Sequence, residues 1–357
     1  MKCKYFGTCG GCFYSLPYDK QIEEKERALY SLFRMKIRVE KSPVINGYRN
    51  RMDFVYAFGK FGLRKKGTYR EAVDIERCGL MSERMNSLFS KVRASLARHE
   101  IQDYDYLRHE GYLRYAVLRE GKFTGETMVN FITSSKDNDI LPVITDIMKH
   151  AKSVVWSVNE GLADVSFGEV YRTFGSPFIT EKFGQIIYRI SPNTFFQSNS
   201  YVTLEILKKI RGFVRGKVLD LYCGVGTISL YIADRCERIT GVESSEESVK
   251  LAEENSKANG IKNTNFVREE TKKFLKACEG DFDFVISDPP RSGMGKKVCK
   301  RLLSLGAEKL ILMSCNPLTL KQDLEYLGNE YEVSQIKAFD MFPHTKHVEI
   351  LCVLERA

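Results

Sequence analysis

Four side chains of different chemistry stand at or beside the ends of short apolar runs in the second half of this 357-residue sequence. Cys315 closes the run in Lys309–Pro317, KLILMSCNP, which reads as a buried parallel strand stopped by a proline that cannot continue a ladder. Open α/β sheets bind ligands beyond the carboxyl ends of their strands, so Cys315 stands where a nucleophile would act. A lone cysteine is otherwise a small core residue, and nucleophilicity depends on thiolate that burial suppresses. Asp288, in SDPPR, ends the preceding strand; Glu349 begins the last apolar run, after MFPHTKHV; Gln197, in SPNTFFQSN, precedes the first strand of this half. A thiol, two carboxylates and an amide gathered at strand ends suit one reaction class. A poor carbon nucleophile is activated by covalent addition and is then deprotonated.

A second set of residues fits a nucleoside cofactor. The strand Val218–Tyr222 runs into Cys223-Gly224-Val225-Gly226-Thr227, where Gly224 and Gly226 allow a ligand close to the backbone. Glu243 closes the next strand, where an acid hydrogen-bonds ribose hydroxyls. The third glycine of a dinucleotide fingerprint would fall at Ser229, which disfavours nicotinamide or flavin cofactors. D-x-x-x-G-x-G with a ribose acid suits S-adenosyl-L-methionine (AdoMet), with Asp220 facing the amino-acid end.

A third set lies at the start of the sequence. Cys3, Cys9 and Cys12 form C-x5-C-x2-C in a loop that Gly7, Gly10 and Gly11 let wrap tightly, and Cys78 is the only other cysteine before residue 223. Four soft ligands point to an iron–sulfur cluster first, structural zinc second and unrelated thiols third. A radical-generating cluster needs one open iron and a different three-cysteine spacing, so it is disfavoured. The remaining cysteines, Cys223, Cys236, Cys278, Cys299 and Cys352, are scattered and are expected in cores, with His344 and His347 as turn and packing residues.

The elements that must position these groups fall into two patterns. From Tyr48 to about Ile190, short alternating strands (Met52–Phe58, Tyr112–Arg119, Glu126–Ile132, Ser153–Val158 and Ile186–Ile190) accompany helices near Ser82–His99 and Asp137–His150, an α+β arrangement. Arg49, Arg51, Arg64, Lys65, Lys66, Tyr69 and Arg70 interleave basic and aromatic residues along its first hairpin, a composition suited to RNA phosphates and bases. Beyond Ile190, strands and helices alternate strictly, which predicts a doubly wound, mainly parallel sheet closed by an antiparallel hairpin, Tyr331–Phe339 with Val348–Leu354. Pro17–Arg34 reads as an amphipathic helix with Ile22, Leu29, Leu32 and Phe33 on its apolar side. The net charge of +9 permits a polyanionic partner, and no apolar run reaches the roughly 20 residues needed to span a bilayer. The expectation is a cytoplasmic protein, most simply a monomer.

SPNTFFQSN, LDLYCGVGTISL, SDPPRSG, MSCNP and MFPHTKHVE resemble, in order and spacing, the motifs of the RNA uracil-C5 methyltransferases, which form 5-methyluridine in 23S rRNA and in the tRNA T-loop. The resemblance extends to the four cysteines, which match the family's [4Fe–4S] ligands. It implies a class I AdoMet-dependent methyltransferase fold, α/β with a doubly wound, mainly parallel seven-stranded sheet, beside a separate α+β RNA-binding domain. The implied division is 1–14 with 48–190 for the cluster loop and RNA-binding domain, 15–47 for a helical segment packed on the catalytic domain, and 191–357 for catalysis. It makes Cys315 the nucleophile toward uracil C6, Glu349 the base at C5 and Asp288 a uracil contact, with Gln197, Tyr222, Glu243 and Asp288 around AdoMet. Two departures stand out. The RNA-binding barrel of the TRAM type that many members carry is missing ahead of Cys3, which suggests the shorter ribosomal enzymes and a 23S target, with tRNA uridine 54 as the alternative. The family's Asp near the adenine is replaced by Glu269 or Glu270. Cytosine-C5 methylation is the competing chemistry, opposed by Glu349 and by the lack of a second cysteine motif near Asp288. A non-catalytic iron–sulfur RNA-binding protein is the competing class.

Overall fold

The computed structural model describes residues 3–278 and 280–357. In the second half, the sequence alternates buried apolar runs with amphipathic ones, and the runs form an eight-stranded sheet. Its order is 39–40, 331–339, 349–356, 309–314, 284–287, 217–221, 238–243 and 264–268. The strands from 309–314 to 264–268 are mutually parallel, and Glu349–Arg356 runs antiparallel between Lys309–Ser314 and Tyr331–Phe339. This is the class I methyltransferase fold, a seven-stranded sheet with one short strand added. The helices lie on both faces, over two cores: Ile206, Ile228, Ile286 and Ile311 mark one, Leu219, Val285, Leu302 and Leu312 the other. The order reverses between 217–221 and 284–287, so ligands gather above those strand ends.

The expected terminal hairpin forms, but not at the edge. Val39–Glu40 pairs in parallel with Ala338–Phe339 and takes the edge instead. Two residues carry no periodicity, so nothing in the sequence pattern announces that strand. It follows the helix Tyr18–Phe33, which buries Ile22 and Leu29 as expected but also Gln21 and Lys25, while Leu32 and Phe33 are only half-buried.

The first half holds a seven-stranded sheet in the order 169–175, 153–158, 127–133, 113–120, 51–57, 60–64 and 72–74. Only 127–133 and 153–158 are parallel, joined by a crossover through the helix Leu141–Ile147. Helix Glu83–Arg98, capped by Ser82 through Met85 N–H, covers one face, its Phe89 packing on Phe54 in a core shared with Trp156. The strand Glu169–Gly175 is exposed along almost its whole length, so it lacks the alternation that would have marked it in the sequence. A short hairpin, Ile179–Phe183 with Ile186–Ile190, links the two halves.

Candidate active site

Cys315 sits in a two-residue link between the strand Lys309–Ser314 and the helix Pro317–Leu327. Asn316 caps that helix, its side chain accepting from Leu318 N–H at 3.2 Å, and Ser314 Oγ accepts from Asn316 N–H at 3.2 Å. The link is therefore rigid, with the thiol half-buried at the sheet's ligand-binding edge. Glu349 opens the neighbouring antiparallel strand, whose register sets Ile350 opposite Ser314. One step further along that register, Glu349 stands opposite Cys315. Asp288 follows Ser287, the last residue of the strand on the other side of Lys309–Ser314. The three groups that the sequence pattern proposes are thus brought to one cleft by strand register alone.

Burial dominates the electrostatics. It pushes the Cys315 thiol above its ordinary range, reinforced by the Glu349 charge and opposed by Arg291. Glu349 is fully enclosed, its Oε1 has no hydrogen-bond partner, and burial followed by repulsion from Asp288 raises its pKa well above the carboxylate range. Asp288 is pushed up to about 6 by burial, against the Gln197 Nε2 that donates to its Oδ2 at 3.0 Å. Glu349, the half-buried Asp288 and the thiol share this space, so they titrate as a set. A carboxyl of raised pKa is a strong base once ionised, which is what removal of a carbon-bound proton demands. Arg291, quoted only as part of SDPPR in the motif reading, is the cation beside both groups. Its carbonyl accepts from Asn316 Nδ2 at 2.9 Å, which latches that loop to the cysteine link.

Gln197, Tyr222, Gly224 and Asp288 line one cavity with Phe196 and Met313. Tyr222 takes a left-handed φ of 61°, and Gly224 and Gly226 follow at 55° and 80°. No atom stands within 4 Å of where a Gly224 Cβ would be, so that peptide faces open space, whereas a side chain at Gly226 would meet Phe266 at 3.1 Å. Gly226, Asp220 and Glu243 are not among the cavity's lining residues. Glu243 accepts from Gly224 N–H at 3.2 Å on Oε2, and from Ser244 Oγ at 3.1 Å and Ser245 N–H at 2.8 Å on Oε1, which leaves a lone pair on Oε2 for a ribose hydroxyl. Asp220 is fully buried and pushed up to about 7. Ser229 donates to its Oδ2 through N–H and Oγ, at 3.1 and 2.6 Å, and its Oδ1 has no partner. Ser229, read in the sequence only as a missing glycine, therefore braces the turn. An orphan carboxylate oxygen, an open glycine cradle and a ribose-type acid fit AdoMet. Glu269 N–H bonds the Glu243 carbonyl at 3.0 Å, while Glu270 precedes the helix Thr271–Ala277, exposed and without a side-chain capping bond.

The turn 340–348 that delivers Glu349 is held by residues that motif spacing did not single out. Lys25 Nζ, fully buried, bonds Asp340 Oδ1 at 2.5 Å and the carbonyls of His347 and Phe342 at 3.0 and 3.3 Å. Gln21 accepts from His344 N–H at 2.9 Å, and the His344 carbonyl accepts from Phe13 and Tyr14 N–H at 2.7 and 2.9 Å. The polar pair Gln21 and Lys25, one turn apart on an otherwise apolar helix side, was the available signal.

Cys3, Cys9, Cys12 and Cys78 converge closely enough that the charge on each bears on the others. Cys9 bridges to Lys65, and Asn86 clamps Cys78 through both backbone groups at 2.9 and 3.0 Å. Among the described residues, no group of three or more ligating side chains is close enough to hold one metal ion.

Residues 178–357 match the family model described as tRNA (Uracil-5-)-methyltransferase. The chain is 37% identical to tRNA (uracil(54)-C(5))-methyltransferase of Pyrococcus furiosus, over 99% of this chain and 85% of that one. It is 36% identical to 23S rRNA (uracil(747)-C(5))-methyltransferase of Pyrococcus abyssi, with the same coverage. The solved structure of the Pyrococcus abyssi tRNA (uracil-54, C5)-methyltransferase with S-adenosyl-L-homocysteine superposes with a TM-score of 0.86 at 35% identity, covering 95% of this chain and 84% of that one.

Proposed function

The chain belongs to the RNA uracil-C5 methyltransferase family, and we propose that it methylates C5 of uridine 54 in tRNA, with a 23S rRNA uridine as the second reading. Similarity over 95% of the chain to a solved uridine-54 enzyme supports the first. The 23S expectation rested on reading no TRAM-type barrel ahead of Cys3. Relatives named for tRNA and for rRNA are covered to the same 85% of their length, so that ground favours neither. Incubating the protein with tRNA and 23S rRNA lacking 5-methyluridine, then mapping the product by mass spectrometry, decides between them. Methylation of rRNA alone would overturn the tRNA assignment and leave the chemistry standing.

In the chemistry, Cys315 loses its proton and adds as thiolate to uracil C6, breaking the C5=C6 π bond and placing the electron pair on C5 and O4. Gln197, Tyr222, Gly224 and Glu243 would hold AdoMet, which would supply the electrophilic methyl that C5 attacks, its S–CH3 bond breaking to leave S-adenosyl-L-homocysteine. Glu349 takes the C5 proton, the C5=C6 bond re-forms, and the electron pair of the C6–S bond returns to Cys315. Asp288, fixed by Gln197, orients the uracil edge. Apolar walls exclude water, which raises the basicity of Glu349 and keeps Cys315 neutral until a substrate needs it.

We infer an iron–sulfur centre at the four cysteines, with structural zinc second; the C-x5-C-x2-C spacing with Cys78 is what supports it. Their place between the RNA-side hairpin and the His344 turn supports a structural role. Anaerobically purified protein should contain about four irons per chain; one zinc and no iron would refute the cluster.

A further inference from the structure

Residues 159–168, NEGLADVSFG, form a loop with no helix or strand of its own, yet it is pinned along its length. Arg114 is wholly buried beneath it and donates to the carbonyls of Asn159 at 2.7 Å, Gly161 at 2.5 Å and Ala163 at 2.5 Å. Its guanidinium lies 4.7 Å from the Tyr104 ring centre. Arg64 pairs with Asp164 at 2.8 Å, and Tyr115 OH donates to the same carboxylate. Ser166 Oγ bonds Asp53 at 2.7 Å, and Asn193 Nδ2 bonds the Gly168 carbonyl at 3.0 Å, tying the loop to the segment that carries Gln197. A surface loop with this many anchors is held for a purpose other than its own core.

That loop presents Phe167, 52% exposed, and Leu162, 66% exposed. Single exposed apolar side chains are ordinary. Phe167 differs because it lines a groove of about 680 Å³, within the roughly 300–1,000 Å³ of small-ligand sites. Phe195, 64% exposed, lines the same groove, as do Arg51, Tyr115, Arg49 and, from the cysteine loop, Gly10 and Gly11. Arg51 and Arg64 are paired with Asp53 and Asp164. Arg49, over the Phe342 ring, has a buried Nε without a partner and supplies the positive end. Phe195 and Phe196 also line the cavity of Gln197, Tyr222 and Asp288, so the groove and that cavity share these two residues. An aromatic platform on a rigid loop, one uncompensated arginine and a position next to the target base fit a splayed-out nucleotide.

We propose that this groove seats an unpaired nucleotide adjacent to the target uridine, its base stacked on Phe167. The proposal rests on the reading of the substrate as RNA, and it adds a site outside the reacting centre. Because Phe167 is half-exposed on an anchored loop, Phe167→Ala leaves folding intact, which an unchanged melting temperature and unchanged AdoMet affinity would establish. The probe is a tRNA T-arm stem-loop, with an rRNA hairpin in parallel, carrying 2-aminopurine in turn at each unpaired position beside the uridine. The wild-type protein should quench one of these positions. Phe167→Ala should abolish that quenching and weaken binding of the probe by roughly five- to a hundredfold, the range for loss of one base–aromatic stack. Phe167→Trp should restore both. RNA affinity and quenching unchanged in Phe167→Ala, with methylation retained, would overturn the proposal and leave the methylation reading intact. Failure of wild-type protein to bind either RNA would instead count against that reading.

Discussion

At the scale of single residues, the cleft separates three jobs that spacing alone cannot rank. Cys315→Ala should abolish 5-methyluridine formation while AdoMet still binds, and the wild-type protein should form a covalent complex with 5-fluorouridine RNA, which has no C5 proton to surrender. Glu349→Gln should behave differently: methyl addition proceeds, but the adduct is not resolved. Turnover should fall by roughly 10²–10⁴-fold, with protein–RNA adduct accumulating on denaturing gels. Product formation at wild-type rates in either variant would contradict its assigned role. The pH dependence follows from the same burial. The thiol must be ionised to attack, its pKa lies above the ordinary cysteine range, and Glu349 must also be ionised to act as base. Raising the pH supplies both forms, so kcat/KM should climb between about pH 6 and 9 without a plateau near neutrality. A profile flat across that range would show that the thiol is ionised at rest.

Among elements, the helix Tyr18–Phe33 and the turn 340–348 act as a pair, and Lys25 with Asp340 is their joint. Both side chains are inaccessible to water, and Asp340 Oδ2 has no partner even with the pair formed. Lys25→Met would strand a buried carboxylate and should destabilise the protein by about 3–5 kcal/mol in urea unfolding. Adding Asp340→Leu should recover much of that loss. A Lys25→Met protein as stable as wild type would mean the pair is not the joint. The contrast with Cys315 explains what was legible in the sequence. Cys315, Asp288 and Glu349 could be read because each ends or opens a strand whose apolar run is plain, and strand ends are where such sheets bind ligands. Gln21 and Lys25 interrupt an apolar stripe and looked like noise in it. Val39–Glu40 is too short to have a period. The 159–168 loop has none, because its order comes from Arg114, a residue on a distant strand whose side chain sequence cannot aim. Ser229 was hidden for another reason: it was measured against a glycine fingerprint, although its hydroxyl is the feature that matters to Asp220.

Across the whole molecule, the two sheets meet at the segment 195–200. Asn50, just before the first strand of the seven-stranded sheet, donates through Nδ2 to the Gln197 carbonyl at 2.8 Å and to Ser200 Oγ at 2.9 Å, while its N–H bonds the Ser198 carbonyl at 3.0 Å. The residue that fixes Asp288 is therefore hung from the segment that leads into the strand Arg51–Ala57. Substrate RNA should tighten AdoMet binding, and Asn50→Ala should shrink that effect toward unity. Couplings of this kind run from about fivefold to 150-fold. Cofactor affinity indifferent to RNA in the wild-type protein would show that the two sites are independent. The edge strand Val39–Glu40 has a further consequence, which concerns biosynthesis. Its partner residues, Ala338 and Phe339, lie near the other end of the chain. At roughly 5–20 residues per second of translation, they leave the ribosome some tens of seconds later. Through that interval Lys25 has no carboxylate, Gln21 has no turn to hold, and the nascent first half waits with its N-terminal segment undocked. A ribosome that stalls before residue 331 thus releases a chain in which every one of these contacts is missing at once, a ready substrate for chaperones and proteases.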